Sequence, residues 1–249
     1  MVKKIKWMVG ALALLVLVFV GYGAWLVAVL PDVVYLADTD PGETALMRER
    51  GPARAQFWVP LDEISERLVQ AVLMAEDAGF YHHRGFDLHE IREALERNWE
   101  EGRTVRGAST ISQQLAKNLF LSTERTYGRK LKEAILVHRL EKALSKDRIL
   151  EIYLNVIEWG DGIYGAEAAA RRTFGKSCAR LDAVEAATLA AMIPNPRRLD
   201  PCRRPESVRT RRERILTWMH KAKHLDEAEL AQALESEPRL VCSDLVGEE

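Results

Sequence analysis

Apolar residues follow two patterns along this chain, a continuous run near the amino terminus and a helical period elsewhere. Residues 7–30 form an uncharged apolar run of about 24 residues, which is enough to cross a bilayer as a helix. Beyond Leu61, apolar positions recur at the spacing of amphipathic helices, and the first such face comprises Ile64, Leu68, Ala71, Val72 and Ala75. The pattern predicts a mainly α protein with one N-terminal transmembrane helix.

The same pattern divides the chain into four segments. Residues 1–6 are predicted to be a cytoplasmic tail, and residues 7–30 the transmembrane anchor. Residues 31–58 contain several prolines and glycines with little periodicity, so we expect an extended connector with one strand at residues 56–59. Residues 59–249 are expected to form the globular domain.

Charges around the apolar run predict its orientation. Lys3, Lys4 and Lys6 precede the run, so the positive-inside rule leaves the amino terminus in the cytoplasm and the rest of the chain outside. The alternative is a cleaved signal peptide, whose apolar region is about 7–15 residues long and is followed by an A-x-A-like site. Here the run is longer, and the triplet at residues 11–13 lies inside it. This favours an uncleaved anchor.

Composition narrows the class of protein only a little. With 249 residues the chain can bury a substantial core, as one large domain or two small ones. The formal net charge of −1 gives no indication of a nucleic-acid partner. Cys178, Cys202 and Cys242 have no metal-ligand spacing. A Cys178–Cys202 disulfide in an oxidising compartment and three unrelated thiols both remain open.

Glu76 and Asp77 are the first candidates for chemistry. They lie where an amphipathic helix meets residues 79–87, a stretch rich in glycine, histidine and aromatic residues. A carboxylate at the edge of apolar surface is a candidate for a raised pKa, as a general acid or base needs. The alternative is that both are solvated charges near a helix end.

A second polar segment follows at residues 107–118. Thr110 and Gln113 fit a capping box, which is a structural role. A glycine-led loop that enters a helix also presents free N–H groups to an anion. The polar residues on successive turns of this helix suit a polyol or a phosphate better than a core: Gln113, Gln114, Lys117 and Asn118.

Basic residues continue after this segment, at Arg125, Arg129, Lys130 and Lys132. Glu133 lies four residues after Arg129, so the two share one helix face. The structural alternative is a surface ion pair worth less than about 1 kcal/mol. A further basic helix is predicted at residues 205–223, with either a solvated face or contact with anionic lipid headgroups.

Together these segments resemble the peptidoglycan glycosyltransferases, glycosyltransferase family 51. EDAGFYHHRGFD is similar to the first motif of that family, GASTISQQLAKNLFL to the second and RKLKEAILVHRLEK to the third. KDRILEIYLN resembles the fourth motif, and the alanine-rich segment that ends in Pro194-Asn195-Pro196 the fifth. All five occur in the order of the family. With a single anchor and no room for a transpeptidase domain, the chain is most similar to the monofunctional biosynthetic branch.

The resemblance implies a lysozyme-like helical head with a smaller membrane-proximal lobe, in the cell inner membrane with the catalytic domain in the periplasm. It implies polymerisation of lipid II into glycan strands with inversion, and release of undecaprenyl diphosphate. Glu76 would be the general base and Asp77 its support. Glu133 would order the basic groups or a divalent metal ion (Mg²⁺ or Mn²⁺), with no organic cofactor.

The resemblance also assigns binding residues and partners. The diphosphate would be held by Lys117, Arg125, Arg129 and Lys130. Further substrate contacts would come from Ser109, Thr110, Gln113, Gln114 and Asn118. The expected partners are lipid II, the growing glycan strand, membrane lipid and proteins of cell-wall synthesis, with no nucleic acid.

Two other functions remain as alternatives. A lytic transglycosylase or muramidase would share the lysozyme-like fold and a catalytic glutamate. Its leaving group is an uncharged sugar, however, so clustered cations would serve no purpose there. A non-catalytic, membrane-anchored scaffold would use the same charged motifs as surface ion pairs and helix caps.

Overall fold

The structure, a computed structural model, describes residues 2–51, 53–103, 107–124 and 126–241. It is mainly helical, which confirms the predicted fold class. The helices of these ranges are α1 (Val2–Val29), α2 (Ala45–Arg50), α3 (Glu66–Glu76), α4 (Leu88–Glu100), α5 (Ile111–Phe120), α6 (Tyr127–Ala143), α7 (Lys146–Val156), α8 (Ala166–Phe174), α9 (Ala183–Met192), α10 (Pro205–Lys221) and α11 (Glu227–Glu235). The strands are β1 (Ala55–Gln56), β2 (Glu158–Gly160) and β3 (Ile163–Tyr164).

The first helix, α1, has the properties of a membrane span. Its segment Lys6–Val29 covers 24 residues with a mean hydropathy of 2.5, and most of this segment is exposed. Its last turns contact the rest of the chain, where Leu26 is fully buried. The predicted N-terminal apolar helix is therefore present.

The centre of the globular part is the alanine-rich helix α9. Its small side chains are buried along its whole length, and α3 and α10 pack against it. Small residues let helix backbones approach closely, which explains why an alanine-rich sequence forms the core here. As a result α3, which ends at Glu76, lies next to the basic helix α10.

A small sheet with the strand order β1-β3-β2 covers one side of the helices. β1 pairs in parallel with β3, and β2 pairs with β3 in antiparallel orientation. The strand expected at residues 56–59 therefore occurs at Ala55–Gln56. It ends early because the backbone of Val59 pairs with the Asn155 side chain, with Val59 N–H donating to Oδ1 (2.9 Å) and Nδ2 donating to Val59 O (2.8 Å).

Two further features concern exposed apolar side chains and the cysteines. Leu88, Leu95 and Trp99 of α4 are exposed. Cys178 is a free and buried thiol, so the disulfide considered between Cys178 and Cys202 is not formed. Cys242 lies outside the described residues.

Candidate active site

Glu76 is the last residue of α3 and lies partly buried against α5. Its Oε2 accepts a hydrogen bond from Nε2 of Gln114 at 2.7 Å. Burial raises the pKa of Glu76, and this effect exceeds the opposing effects of Gln114, Arg211 and Lys117. A carboxylate that is more basic than usual is better able to accept a proton from a hydroxyl group.

Gln114 is held in a fixed orientation toward Glu76. Its Oε1 accepts a hydrogen bond from the Tyr153 hydroxyl at 3.0 Å. Burial raises the pKa of Tyr153 well above its usual value, so the phenol stays protonated and remains a donor. Because Tyr153 must donate to the amide oxygen, the amide nitrogen of Gln114 faces Glu76.

Asp77 is buried and serves as a junction between three segments. Its carboxylate accepts from Nε2 of His83 at 2.9 and 3.1 Å and from the N–H of Ile111 at 3.0 Å. The N–H of Gly85 donates to Nδ1 of His83 at 3.1 Å, which places the imidazole proton on Nε2. Asp77 thus joins the end of α3, the start of α5 and the turn between α3 and α4.

Asp77, His83 and Asp87 also form a compact group, with one potential ligand atom from each within 4.8 Å of the others. Hydrogen bonds already occupy this group. Both ring nitrogens of His83 are engaged, and Oδ1 of Asp87 caps α4 by accepting from the N–H groups of His89 and Glu90. These contacts form a hydrogen-bond network that connects the three side chains to the backbone of neighbouring segments.

A cationic cluster surrounds the buried Glu133 on α6. Arg129 Nη1 donates to Oε2 of Glu133 at 2.7 Å, and Lys130 Nζ contacts Oε1. Lys117 on α5 lies close enough that Glu133 raises its pKa, although burial lowers that pKa more. Three cations around one carboxylate leave an excess of positive charge, which suits a phosphate group.

Helix α5 connects Glu76 to this cationic cluster. Gln114 and Lys117 are three residues apart and therefore share one face, about 4.5 Å apart along the helix axis. The capping box is present, because the N–H of Gln113 donates to the Thr110 hydroxyl and Gln113 Oε1 accepts from the N–H of Thr110. The Thr110 hydroxyl also donates to the carbonyl of Gly85 at 2.7 Å.

The remaining candidate residues have different positions. Gln113 also donates to Glu133 through Nε2 at 3.3 Å, so it connects the cap to the cationic cluster. Asn118 is buried and Ser109 is exposed. Arg125 lies outside the described residues. The assignment of these residues to substrate stays a prediction.

Four residues that sequence reasoning did not select belong to the site. His83 fixes Asp77, Tyr153 fixes Gln114, and Arg50 of α2 adds positive charge near Lys117. The charge of Arg211 on α10 lowers the pKa of Glu76, against the larger effect of burial. The only sequence signal for Arg211 was the basic character of its helix, which does not indicate an effect on a carboxylate 135 positions earlier.

Comparison with known proteins identifies the class. A family model described as "Transglycosylase" matches residues 43–220 of the chain. The chain therefore belongs to the transglycosylase family, as its five motifs indicated. The predicted enzyme class, a peptidoglycan glycosyltransferase, is confirmed at this level.

Individual relatives carry a more specific name. The chain is 47% identical over 225 residues to a biosynthetic peptidoglycan transglycosylase of Methylobacillus flagellatus. This match covers 87% of this chain and 96% of the relative. It is 50% identical over 202 residues to a biosynthetic peptidoglycan transglycosylase of Thiobacillus denitrificans, and this match covers 77% of this chain and 85% of the relative. Among solved structures it is similar to penicillin-binding protein 1A of Haemophilus influenzae, with 20% identity, a TM-score of 0.46, and coverage of 78% of this chain and 19% of that one.

Proposed function

We propose that this chain polymerises lipid II into glycan strands, releasing undecaprenyl diphosphate with inversion at the anomeric carbon. The observation that carries this proposal is the arrangement along α5, on which Gln114, the hydrogen-bond donor to Glu76, and Lys117, a member of the cationic cluster, lie about one helical turn apart. Family membership and the names of the relatives support the same substrate class.

Each half of this arrangement has one task in the reaction. Glu76 accepts the proton of the acceptor sugar 4-hydroxyl as that oxygen bonds to the anomeric carbon, a contribution of typically 10²–10⁴-fold. On the opposite face, the bond from the anomeric carbon to the diphosphate breaks. The electron pair leaves with the diphosphate, whose growing charge is stabilised by Lys117, Arg129 and Lys130. Opposite faces for base and leaving group give inversion without a covalent intermediate.

The position of the anchor supports a lipid-linked substrate. A cavity of about 300 Å³ lies between Tyr22 of α1 and the loop that joins α5 to α6, and Arg129 and Lys132 line it. We propose that α1 is retained as a single-pass anchor, with its amino terminus in the cytoplasm and the head in the periplasm. Labelling of a cysteine introduced in the head with a membrane-impermeant reagent tests this, since labelling only after lysis of the inner membrane would contradict it.

No metal is part of this proposal. Glu133 was expected to order the basic groups or a divalent metal ion, and its carboxylate contacts Arg129 and Lys130, which a divalent cation would have to displace. The expectation of Mg²⁺ or Mn²⁺ can be tested by polymerisation in the presence of EDTA. Binding of proteins of cell-wall synthesis stays a prediction.

Two substitutions test the proposal, because they should differ in their effect on lipid II binding. Glu76→Gln keeps the shape of the side chain but removes its basicity, so the polymerisation rate should fall by roughly 10²-fold or more while lipid II binding is retained. Lys117→Ala should weaken lipid II binding as well as the rate. Lys142→Ala, an exposed lysine on α6, is the control and should behave like the parent.

The measurements are polymer formation from labelled lipid II and equilibrium binding of the same lipid. A Glu76→Gln variant that polymerises at the parent rate would refute Glu76 as the base. Release of sugars from intact peptidoglycan by the parent enzyme, without polymer from lipid II, would favour the lytic alternative.

A further inference from the structure

Tyr153 of α7 brings a hydroxyl group from the core to the side of α5. Its side chain is fully buried, and α7 packs against α5. The hydroxyl donates to Oε1 of Gln114 at 3.0 Å. Within the described ranges of the chain, this is the single hydrogen bond of the hydroxyl, so its proton has one acceptor.

Gln114 continues this contact to Glu76. Its Nε2 donates to Oε2 of Glu76 at 2.7 Å, while its Oε1 accepts from Tyr153. A primary amide accepts at one end and donates at the other, so the two hydrogen bonds form a chain with one direction, from the tyrosine to the carboxylate. A hydrogen bond donated to a carboxylate favours its ionised form. The chain therefore matches ionised Glu76.

The opposite orientation of the amide would favour the other form of Glu76. With the amide turned over, Oε1 of Gln114 would accept from a protonated carboxyl group, and Nε2 would face the Tyr153 oxygen. The Tyr153 proton would then have no acceptor among the described residues, in a fully buried position. Because an unpaired buried donor costs free energy, the tyrosine hydroxyl opposes this orientation.

We propose that Tyr153 is a positioning residue for the transfer reaction, whose hydroxyl proton fixes the Gln114 amide with its NH₂ group toward Glu76 and thereby favours the ionised carboxylate. The inference rests on the proposed function, in which Glu76 is the general base. Tyr153 acts through Gln114 and is itself shielded from substrate, since its side chain is fully buried.

The charged groups around Glu76 do not fix the orientation of the amide. Asp77, Lys117 of α5 and Arg211 of α10 act on the Glu76 carboxylate through their charge. The helix α9, which packs against α3, has Glu185 as its one titratable residue, and that carboxylate forms an ion pair with a lysine at 2.6 Å. These charges are unchanged when the tyrosine hydroxyl is removed, so a change in the titration of Glu76 reports on the hydrogen-bond chain.

The direction of the effect follows from the hydrogen bonds. Burial raises the pKa of Glu76, and the hydrogen bond from Gln114 opposes that rise. Tyr153→Phe removes the proton that fixes the amide, so both orientations become available and the pKa of Glu76 should rise further. The ionised base is present above that pKa and is lost as the pH falls through it, so the acid limb of the pH–rate profile should move to higher pH.

The experiment compares Tyr153→Phe with the control Tyr164→Phe in the full-length protein, by kcat/KM for lipid II between about pH 5 and 9. Tyr164 on β3 is a matched control, because it is also fully buried and its hydroxyl has no hydrogen-bond partner among the described residues. If the acid limb of Tyr153→Phe moves by about one pH unit, kcat/KM on the acid side should be about tenfold below the parent value, and at high pH it should be close to that value. Tyr164→Phe should keep the parent profile.

A double variant tests whether the tyrosine acts through the glutamine. Gln114→Leu removes both hydrogen bonds of the chain, so its acid limb should also move to higher pH. Tyr153→Phe should add no further movement of the limb in the Gln114→Leu background, because the two residues act as one unit.

Three outcomes would overturn the inference. A parent profile in Tyr153→Phe would show that the hydroxyl does not act on Glu76. A uniform loss at every pH with a lower unfolding temperature would make the role of Tyr153 structural. A further movement of the limb in the double variant would mean that Tyr153 acts independently of Gln114. Each is distinct from failure of the proposed function, which Glu76→Gln tests by itself.

Discussion

At the scale of single residues, Glu76 and Asp77 are neighbours in the chain but have opposite surroundings. Oε2 of Glu76 accepts one hydrogen bond, from Gln114, and burial raises the pKa of this group. Asp77 accepts from His83 and from the N–H of Ile111. A carboxylate that accepts from several donors is held in one position. The difference makes Glu76 the group that can exchange a proton and Asp77 the group that maintains the site.

This difference predicts that Asp77→Asn mainly affects stability. The amide puts an NH₂ group in place of one carboxylate oxygen, so in either orientation this group faces the N–H of His83 or of Ile111, donor against donor, in a buried position. We expect the free energy of unfolding to fall by about 1–3 kcal/mol. Thermal and chemical unfolding of the purified protein measure this, with Glu76→Gln, which should be no less stable than the parent, as the matched control. A stable but inactive Asp77→Asn variant would instead point to a direct role in the chemistry.

The sequence revealed the carboxylate pair but not the partners that separate their roles. Glu76 and Asp77 were recognisable because they end an apolar helical stripe and begin a motif. Gln114 was recognised as a polar residue of its helix, but its hydrogen bond to Glu76 was not predicted. Tyr153, on α7, lies in the fourth motif and was given no role. Such partners come from helices that are remote in sequence, and their contacts depend on packing rather than on local pattern.

At the scale of elements, α5 is held at its start by two neighbouring segments. Asp77 accepts from the N–H of Ile111, and Thr110 donates to the carbonyl of Gly85. Gly85 has a φ of +88° and lies against α6, where an added Cβ would come within 2.4 Å of Cγ1 of Val137. The turn before α4 therefore fixes the position of Gln114 and Lys117 indirectly.

Gly85→Ala should consequently destabilise the protein strongly. The new methyl group requires an unfavourable backbone conformation and displaces Val137, for a combined cost of about 2–5 kcal/mol. Gly128→Ala is the control, because it lies in the first turn of α6 with no atom within 4 Å of the added Cβ, and should be neutral or slightly stabilising. Unfolding curves of both variants decide this, and equal stabilities would contradict the contact with Val137.

Helices were more predictable than strands for a physical reason. Caps such as Asp182 with Glu185 and Asp226 with Glu229 are local, and the structure has both capping boxes. The strands contain two or three residues each, and β1 pairs with β3 more than a hundred positions away. The strands β2 and β3 were therefore not predicted from the sequence.

At the scale of the whole molecule, Arg139 of α6 joins the anchor to the head. Its Nη1 donates to the carbonyls of Leu30 and Pro31, each at 2.8 Å, and its Nη2 contacts the carbonyl of Val27. Carbonyls at the end of a helix lack intrahelical partners and carry partial negative charge, so a guanidinium stabilises this end of α1. Arg129 lies ten residues earlier on α6, about 15 Å along the helix axis. One rigid helix therefore carries both the contact with the anchor and part of the cationic cluster.

Arg139→Ala should loosen the anchor without unfolding the head. The core around α9 does not involve Arg139, so the unfolding temperature should change little, whereas α1 should adopt a wider range of orientations. Spin labels at Leu17 and Lys142, both exposed, can report this as the width of the distance distribution in lipid nanodiscs. The parent and the control His138→Ala, an exposed neighbour on α6, should give narrow distributions, and Arg139→Ala a broad one. Equal widths in all three would mean that apolar packing around Leu26 and Leu36 fixes the anchor, and that the guanidinium contacts contribute little.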